Sequence, residues 1–539
     1  ESLRSPAVGQ KRKPKRPSEP QPAQKATLAA ASDAPPDQFA ETEKIIAREM
    51  KWRSVGPANM GGRIADIAVD PHQPFTLYVA TGTGGLIKST DNGTTWSGAF
   101  ENEAVASTGA VEVAPSDSKI VWLGTGEPNG RNSSSWGNGV YKSTDSGGTW
   151  TNMGLKDSQD IARVVIDPSN ADNVYVAALG HLWGPNKERG VYKTTDGGKT
   201  WSASLQVDEN TGAVDLLMDP SDHNTLYAAM YYRRRTPYSM TSGGPTGGIY
   251  KTADGGHTWK KIANGLPASV GRIGLDVCLS HPNVVYAVIE SDAGGQSSIF
   301  DNKSKSGGVF RSDDKGETWK RVNGLAPRSF YFSQIRVDPK DENRVYVLGF
   351  ALSVSDDGGK TFRDDGAKNV HPDLHAMWID PSNPDHMLLG NDGGIYVSYN
   401  KSKTWSHYNN VAIGEFYRVA MDMETPYHIT GGLQDNFSWI GPSATRNQDG
   451  ITNADWRSLG GGDGMWCAID PTDSNIAYSE SQNGTITRMN LNTGEQKFIQ
   501  PNPKEGESAY RFNWTTPFLL SHFDHTVIYL GGNRLFKLT

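Results

Sequence analysis

An eight-residue segment recurs along this chain and constrains its fold more than any other feature. It first reads STDNGTTW at residues 89–96. Close copies follow: STDSGGTW (143–150), TTDGGKTW (194–201), TADGGHTW (252–259), SDDKGETW (312–319) and SDDGGKTF (355–362). SYNKSKTW (398–405) has lost the aspartate and the glycine. A local structure that each repeat needs once would recur in this way.

Each octet closes a longer unit, such as IADIAVDPHQPFTLYVATGTGGLIKSTDNGTTW at residues 64–96. Alternating runs rich in Val, Ile and Tyr predict three strands before the octet and a fourth after it. The turn after the first strand recurs ten times, 42 to 62 residues apart, starting at Asp70, Ala114, Asp167, Asp219, His281, Asp338, Asp380, Asp422, Asp470 and Ser521. Four-stranded units at this period predict an all-β protein, a β-propeller of about ten units.

The octet then lies at the turn between the third and fourth strands. Its aspartate can accept hydrogen bonds from turn N–H groups, and its glycine can take a positive φ. Its tryptophan begins the fourth strand and is expected to pack on its own blade. We therefore interpret the aspartates as structural rather than catalytic: Asp91, Asp145, Asp196, Asp254, Asp314 and Asp357.

The pattern Ser/Thr-x-Asp-x-Gly-x-Thr-Trp resembles the Asp-box (BNR repeat) of sialidases, of two-propeller xyloglucan-cleaving glycoside hydrolases and of the sortilin domain. Over residues 52–539 the chain is most similar to bacterial sortilin-like and xyloglucanase-like repeat proteins. The resemblance implies the fold but does not fix an activity. It leaves two arrangements open: one ten-bladed ring, as in sortilin, or a seven-bladed ring followed by part of a second, as in the xyloglucanases.

The composition divides the chain into two parts. Residues 1–48 are rich in Pro, Ala and Lys and are predicted to be disordered. Residues 49–539 hold the propeller repeats; the last unit stops before a box aspartate, so we expect the natural chain to continue. The net charge is −7, and the basic cluster KRKPKR (11–16) lies in the disordered part, so no nucleic-acid partner is predicted.

Other global features of the sequence indicate where the protein is located. No apolar run of about 18 residues is present, so no membrane span is predicted. Two distant cysteines, Cys278 and Cys467, provide no disulfide framework. The chain begins at Glu1, which indicates a removed signal or a fragment. Together with the resemblance, this predicts an extracytoplasmic protein (periplasmic, cell-surface or secreted) without a cofactor.

Insertions concentrate in the loops between the second and third strands, on the face opposite the boxes. Function tends to lie on such loops. Exposed aromatic and arginine side chains there would suit a polysaccharide or polypeptide ligand, although packing on neighbouring blades would also explain them. The predicted ligand-binding residues, with two from loops at the channel rim, are Trp136, Trp183, Tyr231, Tyr232, Arg233, Arg234, Arg235, Tyr331 and Trp514.

The loops of units seven to nine bring acids to the same face, whereas those of units one to five bring arginines such as Arg63. Paired carboxylates are what glycoside hydrolysis requires. We therefore name Asp392, Asp435 and Asp463 as candidate catalytic residues; ordinary loop roles are the alternative. Alternate residues His371, Asp373 and His375 could ligate a metal, but the pattern is weak, and no metal site is predicted.

Departures from the resembled families leave the activity open. The first blade reads GGRIAD where sialidases carry Phe/Tyr-Arg-Ile-Pro, which argues against sialidase activity. Xyloglucanases carry a catalytic Asp in a first-blade TDIGG-like loop; here TGTGG has Thr83, and Asp392 in NDGGIY looks like that loop, but in unit seven. Two hypotheses remain: an exported protein that binds a glycan or polypeptide, and a xyloglucanase-like glycoside hydrolase.

Overall fold

The computed structural model describes residues 45, 53–56, 61–130, 134–291 and 304–539. The chain separates into two compact units, Glu1–Ser54 and Val55–Thr539, and the second holds all the strands assigned here. The predicted disorder of residues 1–48 falls, apart from Ile45, outside the described residues. No helix among those residues is long and apolar enough to cross a membrane.

The described strands form ten antiparallel sheets in chain order, here called blades 1 to 10. Blades 1 to 3 contain β1 (Ile64–Val69), β2 (Leu77–Thr81), β3 (Leu86–Ser89), β4 (Ser97–Gly98); β5 (Thr108–Val113), β6 (Val121–Thr125), β7 (Val140–Ser143), β8 (Thr151–Asn152); and β9 (Ile161–Asp167), β10 (Asn170–Ala178), β11 (Gly190–Thr194), β12 (Ser202–Leu205). Blades 4 and 5 contain β13 (Thr211–Asp219), β14 (Asp222–Thr236), β15 (Ser239–Ser242), β16 (Gly248–Thr252), β17 (Lys260–Lys261); and β18 (Ile273–Val277), β19 (Val285–Ile289), β20 (Gly308–Ser312), β21 (Lys320–Asn323).

Blades 6 and 7 contain β22 (Gln334–Asp338), β23 (Asp341–Leu348), β24 (Leu352–Ser355); and β25 (Leu374–Ile379), β26 (Met387–Asn391), β27 (Gly394–Ser398), β28 (Ser406–His407). Blades 8 to 10 contain β29 (Phe416–Met421), β30 (His428–Leu433), β31 (Ser438–Pro442), β32 (Arg457–Gly460); β33 (Cys467–Ile469), β34 (Ile476–Ser481), β35 (Thr485–Asn490), β36 (Gln496–Phe498); and β37 (Phe518–Leu520), β38 (Ile528–Gly531), β39 (Leu535–Leu538). Short 3-10 helices cover Lys156–Ser158, Asn453–Asp455 and Gln482–Gly484.

The repeated octet is the turn between the third and fourth strands, as predicted. In blade 2, Asp145 Oδ1 accepts the Thr149 N–H and the Ser143 hydroxyl, both at 2.8 Å, and Oδ2 accepts the Thr149 hydroxyl at 2.8 Å. Gly147 adopts a φ of 86°, which glycine takes without steric cost. The same set of bonds recurs in blades 1, 3, 4, 5 and 6. These contacts support the structural interpretation of the box aspartates.

Two of the box tryptophans bond to a neighbouring blade, which differs from the prediction. Trp150 donates its indole N–H to the Ala99 carbonyl at 2.6 Å, and Trp201 donates to the Met153 carbonyl at 2.8 Å. Both acceptors belong to the preceding blade. For these two tryptophans the expectation of packing on their own blade is wrong, because the indole reaches back across the gap between sheets. Trp319 instead donates to the Gly316 carbonyl of its own octet at 3.0 Å. The boxes thus help to join neighbouring blades.

The innermost strands close a ring after seven blades. Strand β1 contacts β5 on one side and β25 of blade 7 on the other. Ile64 and Val79 of blade 1 share a buried apolar cluster with Ala376 and Leu388 of blade 7. Of the two arrangements left open by the sequence, the structure therefore has the seven-bladed ring followed by three further blades.

The seam between blades 1 and 7 depends on glycine. Gly61 donates its N–H to the Gly393 carbonyl at 2.9 Å. A Cβ on Gly61 would lie 2.9 Å from the Gly394 Cα, closer than real Cβ contacts allow. Gly394 itself has a φ of 122°. The absence of side chains lets the two backbones meet at this seam.

Removing one box carboxylate is expected to lower the melting temperature by a few degrees. The change is Asp145→Ala, with exposed Asp449→Ala as the control. The Thr149 N–H, followed by the Ser143 and Thr149 hydroxyls, lowers the pKa of Asp145 to about 2. Because this is below the unfolded value of about 3.9, the stabilisation is present above about pH 4 and is lost as the pH falls through about 2. Calorimetry between pH 7 and pH 2 checks this; equal melting temperatures at pH 7 would contradict it.

Candidate functional site

The candidate site lies on the face opposite the boxes, where the seam of the ring meets blade 8. Arg63 immediately precedes β1 of blade 1, and Asp392 lies in the loop between β26 and β27 of blade 7. Asp435 lies between β30 and β31 of blade 8. These are loops before a first strand or between second and third strands. Their convergence on one face is therefore a direct result of up-and-down blade topology.

The Arg63 guanidinium is the centre of the site, and the residue is 5% exposed. Its Nη1 contacts Glu127 Oε1 at 3.1 Å and Glu415 Oε2 at 3.6 Å. Its Nε contacts Asp392 Oδ1 at 3.0 Å, and its Nη2 contacts Asp435 Oδ2 at 3.4 Å. One arginine thus joins carboxylates from blades 2, 7 and 8 and from the segment that enters blade 8.

The opposite charges of Arg63 and Asp392 keep both groups ionised. Burial alone would lower the pKa of Arg63, but the charges of Asp392 and Glu127 outweigh it and raise that pKa well above its ordinary value. Burial alone would raise the pKa of Asp392, but Arg63 and His375 hold it well below its usual range. Asp392 is therefore an ionised anchor, unsuited to donating a proton near neutral pH.

Further contacts hold the Asp392 carboxylate in place. The Tyr331 hydroxyl donates to Oδ2 at 2.9 Å, and His375 Nε2 lies 2.9 Å from Oδ1. The rings of Tyr331 and His375 pack edge to face, with centroids 4.6 Å apart. Asn436 Nδ2 donates to the Asp392 carbonyl at 2.8 Å, which ties blade 8 to blade 7.

Asp435 and Asp463, two of the acids from units seven to nine, are neighbours. The Asp435 N–H donates to Asp463 Oδ1 at 2.8 Å, and Gln482 donates its side-chain N–H to Asp463 Oδ2. The backbone of Asp435 has a φ of 59°, in the left-handed region. Asp463 therefore supports the conformation that aims Asp435 at Arg63.

Accessibility separates the acids into two groups. The side chains of Asp435 and Glu415 are 17% and 21% exposed, whereas those of Glu127 and Asp392 are at most 1% exposed. Asp435 and Glu415 contact the two terminal nitrogens of one guanidinium. Their carboxylates therefore lie within about 9.5 Å of each other, the upper limit for the carboxylate pairs of glycosidases.

The same cluster contains the residues that could hold a metal ion. Ligand oxygens of Asp373, Asp392 and Asp435 all lie within 4.8 Å of one another. Carboxylate oxygens are the ligands that Ca²⁺ and Mg²⁺ prefer. Arg63 already supplies a positive charge to Asp392 and Asp435. The sequence pattern that suggested ligands, His371, Asp373 and His375, contributes Asp373 alone to this trio.

Several predicted ligand-binding residues are exposed on the loop face. Trp136, Trp183 and Trp514 are 64%, 41% and 45% exposed. The backbones of Trp183 and Arg235 form an isolated β-bridge, and the Arg234 side chain donates to Asn210 Oδ1 at 2.8 Å. Tyr232 and both arginines are half-buried. Their binding roles stay a prediction.

Three other predicted ligand-binding residues are not exposed. Tyr231, Arg233 and Tyr331 are each at most 1% exposed. The supposed loop from Tyr231 onward is a two-stranded ribbon in which β14 pairs with β15, so alternate side chains point inward. Arg233 contacts Asp160 at 3.0 Å, and Tyr331 contacts Asp392. The expectation that these side chains form an exposed surface is wrong.

Glu127 is a site residue that was not predicted from the sequence. It follows β6 in the segment GEPNG and is fully buried against Arg63. A glutamate among glycine, proline and asparagine looks like a solvated turn residue. Its position after a second strand, on the loop face, was the one signal that could have pointed to it.

Comparison with known proteins supports the resemblance. Residues 138–269 match the family model described as sortilin, neurotensin receptor 3. A xyloglucanase from Paenibacillus sp. is 27% identical over 323 residues, covering 58% of this chain and 26% of the relative. An oligoxyloglucan-reducing end-specific xyloglucanase from Emericella nidulans is 23% identical over 405 residues, covering 65% of this chain and 46% of the relative. The chain spans less than half the length of these two relatives.

The fold has a solved counterpart. The crystal structure of the GH74 xyloglucanase from Xanthomonas campestris superposes with a TM-score of 0.56 at 15% identity, over 91% of this chain and 80% of that one. At this identity the likeness concerns the fold. The chain is thus an Asp-box β-propeller that resembles sortilin-like and xyloglucanase-like proteins.

Proposed function

We propose that this protein is a glycoside hydrolase that acts on a polysaccharide at the Arg63 site. The observation that carries the proposal is the convergence of part-exposed Asp435 and Glu415 on one guanidinium. Two carboxylates within about 9.5 Å of each other are what glycoside hydrolysis requires. The similarity to xyloglucanases makes xyloglucan the first substrate to test.

In this proposal one carboxyl protonates the leaving oxygen and the other attacks the sugar or activates water. Asp435 and Glu415 take these two roles, because both reach solvent. Asp392 is a positioning residue: it is buried and orients Arg63 through two contacts, 3.0 Å from Nε and 3.3 Å from Nη2. Asp463 is a second positioning residue, acting through the Asp435 N–H.

A second function is favoured by the ion pairs themselves. Arg63 partly neutralises Asp435 and Glu415, and bare carboxylates would serve hydrolysis better. In that case the protein binds a glycan or polypeptide on its loop face without cleaving it, with Trp136, Trp183 and Trp514 as anchors. An extracytoplasmic location belongs to both proposals, since a polymeric ligand does not cross a membrane unaided.

A polysaccharide panel separates the two functions. The protein is incubated with xyloglucan, mixed-linkage β-glucan and arabinoxylan, and both retention on the polymer and the chain length of products are measured. Shortened chains from one polymer support the hydrolase. Retention with unchanged chain length supports the binding protein, and neither result with any polymer argues against both.

Loss of one exposed tryptophan is expected to weaken capture of the polysaccharide. Trp183→Ala removes a ring that is 41% exposed on the loop face, and an aromatic anchor of this kind contributes about 1–3 kcal/mol. Phe498→Ala is the matched control, because Phe498 is 73% exposed on the outer strand of blade 9. Affinity electrophoresis in polymer-containing gels measures both. Equal retardation of the two variants would remove Trp183 from the binding surface.

A further inference from the structure

The central channel of the seven-bladed ring is lined by charge. Six of its seven innermost strands, all within the described residues, carry one of these charged side chains: Asp66, Glu112, Arg163, Asp215, Asp276 and Arg336. A cavity of about 350 Å³ occupies the channel, lined by five of these residues. Pro115, Pro168 and Pro220, from the turns after the first strands, line its mouth. The cavity therefore opens on the box face, away from Arg63.

Three of the four acids in the channel have a structural role. Each carboxylate accepts the backbone N–H of the next innermost strand: Asp66 from Val111 at 3.1 Å, Asp215 from Leu275 at 2.9 Å and Asp276 from Val337 at 2.7 Å. Arg163 pairs with Asp215 at 3.1 Å and Asp66 at 3.5 Å. These bonds join successive blades and account for the presence of those residues.

Glu112 on β5 departs from this pattern. Within the part of the chain that the structure describes, its carboxylate makes no hydrogen bond and no ion pair, and it lines the cavity. Burial, followed by the charge of Asp66, raises the pKa of Glu112 to about 8, and Arg163 opposes this. Burial also raises the pKa of Asp276 to about 6. The channel holds more acid than its two arginines can balance.

We infer that this cavity binds a small organic cation, a primary diamine, whose ammonium group pairs with Glu112. The channel holds four carboxyls, three of which line the cavity, against two guanidiniums. This leaves an excess of two negative charges in the channel when all are ionised, which a dication would balance. The volume lies at the lower end of the range for small-molecule sites. A compact metal ion fits less well, since the described channel acids include no trio with ligand atoms within 4.8 Å.

The inference is independent of the proposed hydrolase, because the cavity opens on the opposite face. The affinity of the cavity for a diamine should also depend on pH. Arg163, Arg336, Asp66, Asp215, Asp276 and His223 face or line the same channel. A bound ammonium favours the ionised form of Glu112, so diamine affinity should rise as the pH approaches 8 and level off above it.

Titration calorimetry of the full chain with 1,4-diaminobutane tests the inference. Between pH 6 and 8 we expect the affinity to rise by up to about tenfold per pH unit. Glu112→Gln keeps the shape of the side chain and should lower the affinity at pH 8 at least tenfold. Glu495→Gln, an exposed acid of blade 9, is the matched control and should bind like the wild type. Melting temperatures confirm that each variant is folded.

Four results would overturn the inference. One is the absence of binding at millimolar diamine. Another is equal affinity in folded Glu112→Gln and wild type. The third is equal binding of neutral 1,4-butanediol, which would show that charge has no part. Competition by Ca²⁺ at micromolar concentration, lost in Glu112→Gln, would reassign the site to a metal ion and contradict the diamine.

Discussion

Arg63→Met is expected to destabilise the protein by about 3–5 kcal/mol, because it removes a cation that buried carboxylates contact. Glu127 and Asp392 are at most 1% exposed and both contact the guanidinium. Asp392 would keep Tyr331 and His375, but Glu127 would lose both its contacts to Nη1, at 3.1 and 3.4 Å. Chemical denaturation of the variant and the wild type measures the difference.

The effect should depend on pH. The pKa of Asp392 is held well below its unfolded value of about 3.9 in the wild type. Its stabilising contribution is therefore present above about pH 4 and is lost as the pH falls through the folded value. The stability gap between Arg63→Met and wild type should narrow toward low pH, where the acids take up protons. Arg446→Met, at an exposed position, should change stability by less than about 0.5 kcal/mol; an equally small change for Arg63→Met would contradict the central role of this residue.

Asp435→Asn is expected to lower kcat on the cleaved polysaccharide by about 10³-fold, the scale of a lost acid or base. The amide keeps the shape of the side chain, and the Asp435 N–H still reaches Asp463, so binding should persist. Asp463→Asn retains an acceptor for that N–H and should cost only about tenfold through misplacement. Initial rates and polymer retention are measured for both.

The exposed Asp449→Asn, also within blade 8, serves as the control and should keep full activity. If Asp463→Asn were as damaging as Asp435→Asn, Asp463 would itself be a reacting carboxyl. If neither variant changed the rate, the reacting groups would lie elsewhere.

Local sequence was sufficient to predict the structure of one blade but not the number of blades in the ring. The octet specifies its own turn, because Ser143, Asp145 and Thr149 bond within seven residues of one another. The number of blades in the ring depends on Ile64 packing against Ala376 and Leu388. No local pattern reports a contact between residues more than 300 positions apart. Two arrangements therefore stayed open until the structure showed the contact.

The candidate site could also be predicted only in part, because some of its contacts join residues that are far apart in the sequence. Blade topology puts loops of one kind on one face, so the acids Asp392, Asp435 and Asp463 could be grouped. Arg63, which contacts both Asp392 and Asp435, lies 329 and 372 residues away from them in the sequence. Tyr231 and Arg233 are buried because strand β14 continues past the end of its blade and pairs with β15. The glycine-rich sequence that follows indicated a loop at this position instead.

Release of new reducing ends from xyloglucan, measured for the wild type and for Asp435→Asn at equal polymer occupancy, tests the proposed hydrolase most sharply. We expect release in proportion to wild-type enzyme, with near-complete loss in the variant despite retained binding. Binding by the wild type without any release, from xyloglucan or the other polymers of the panel, would contradict it.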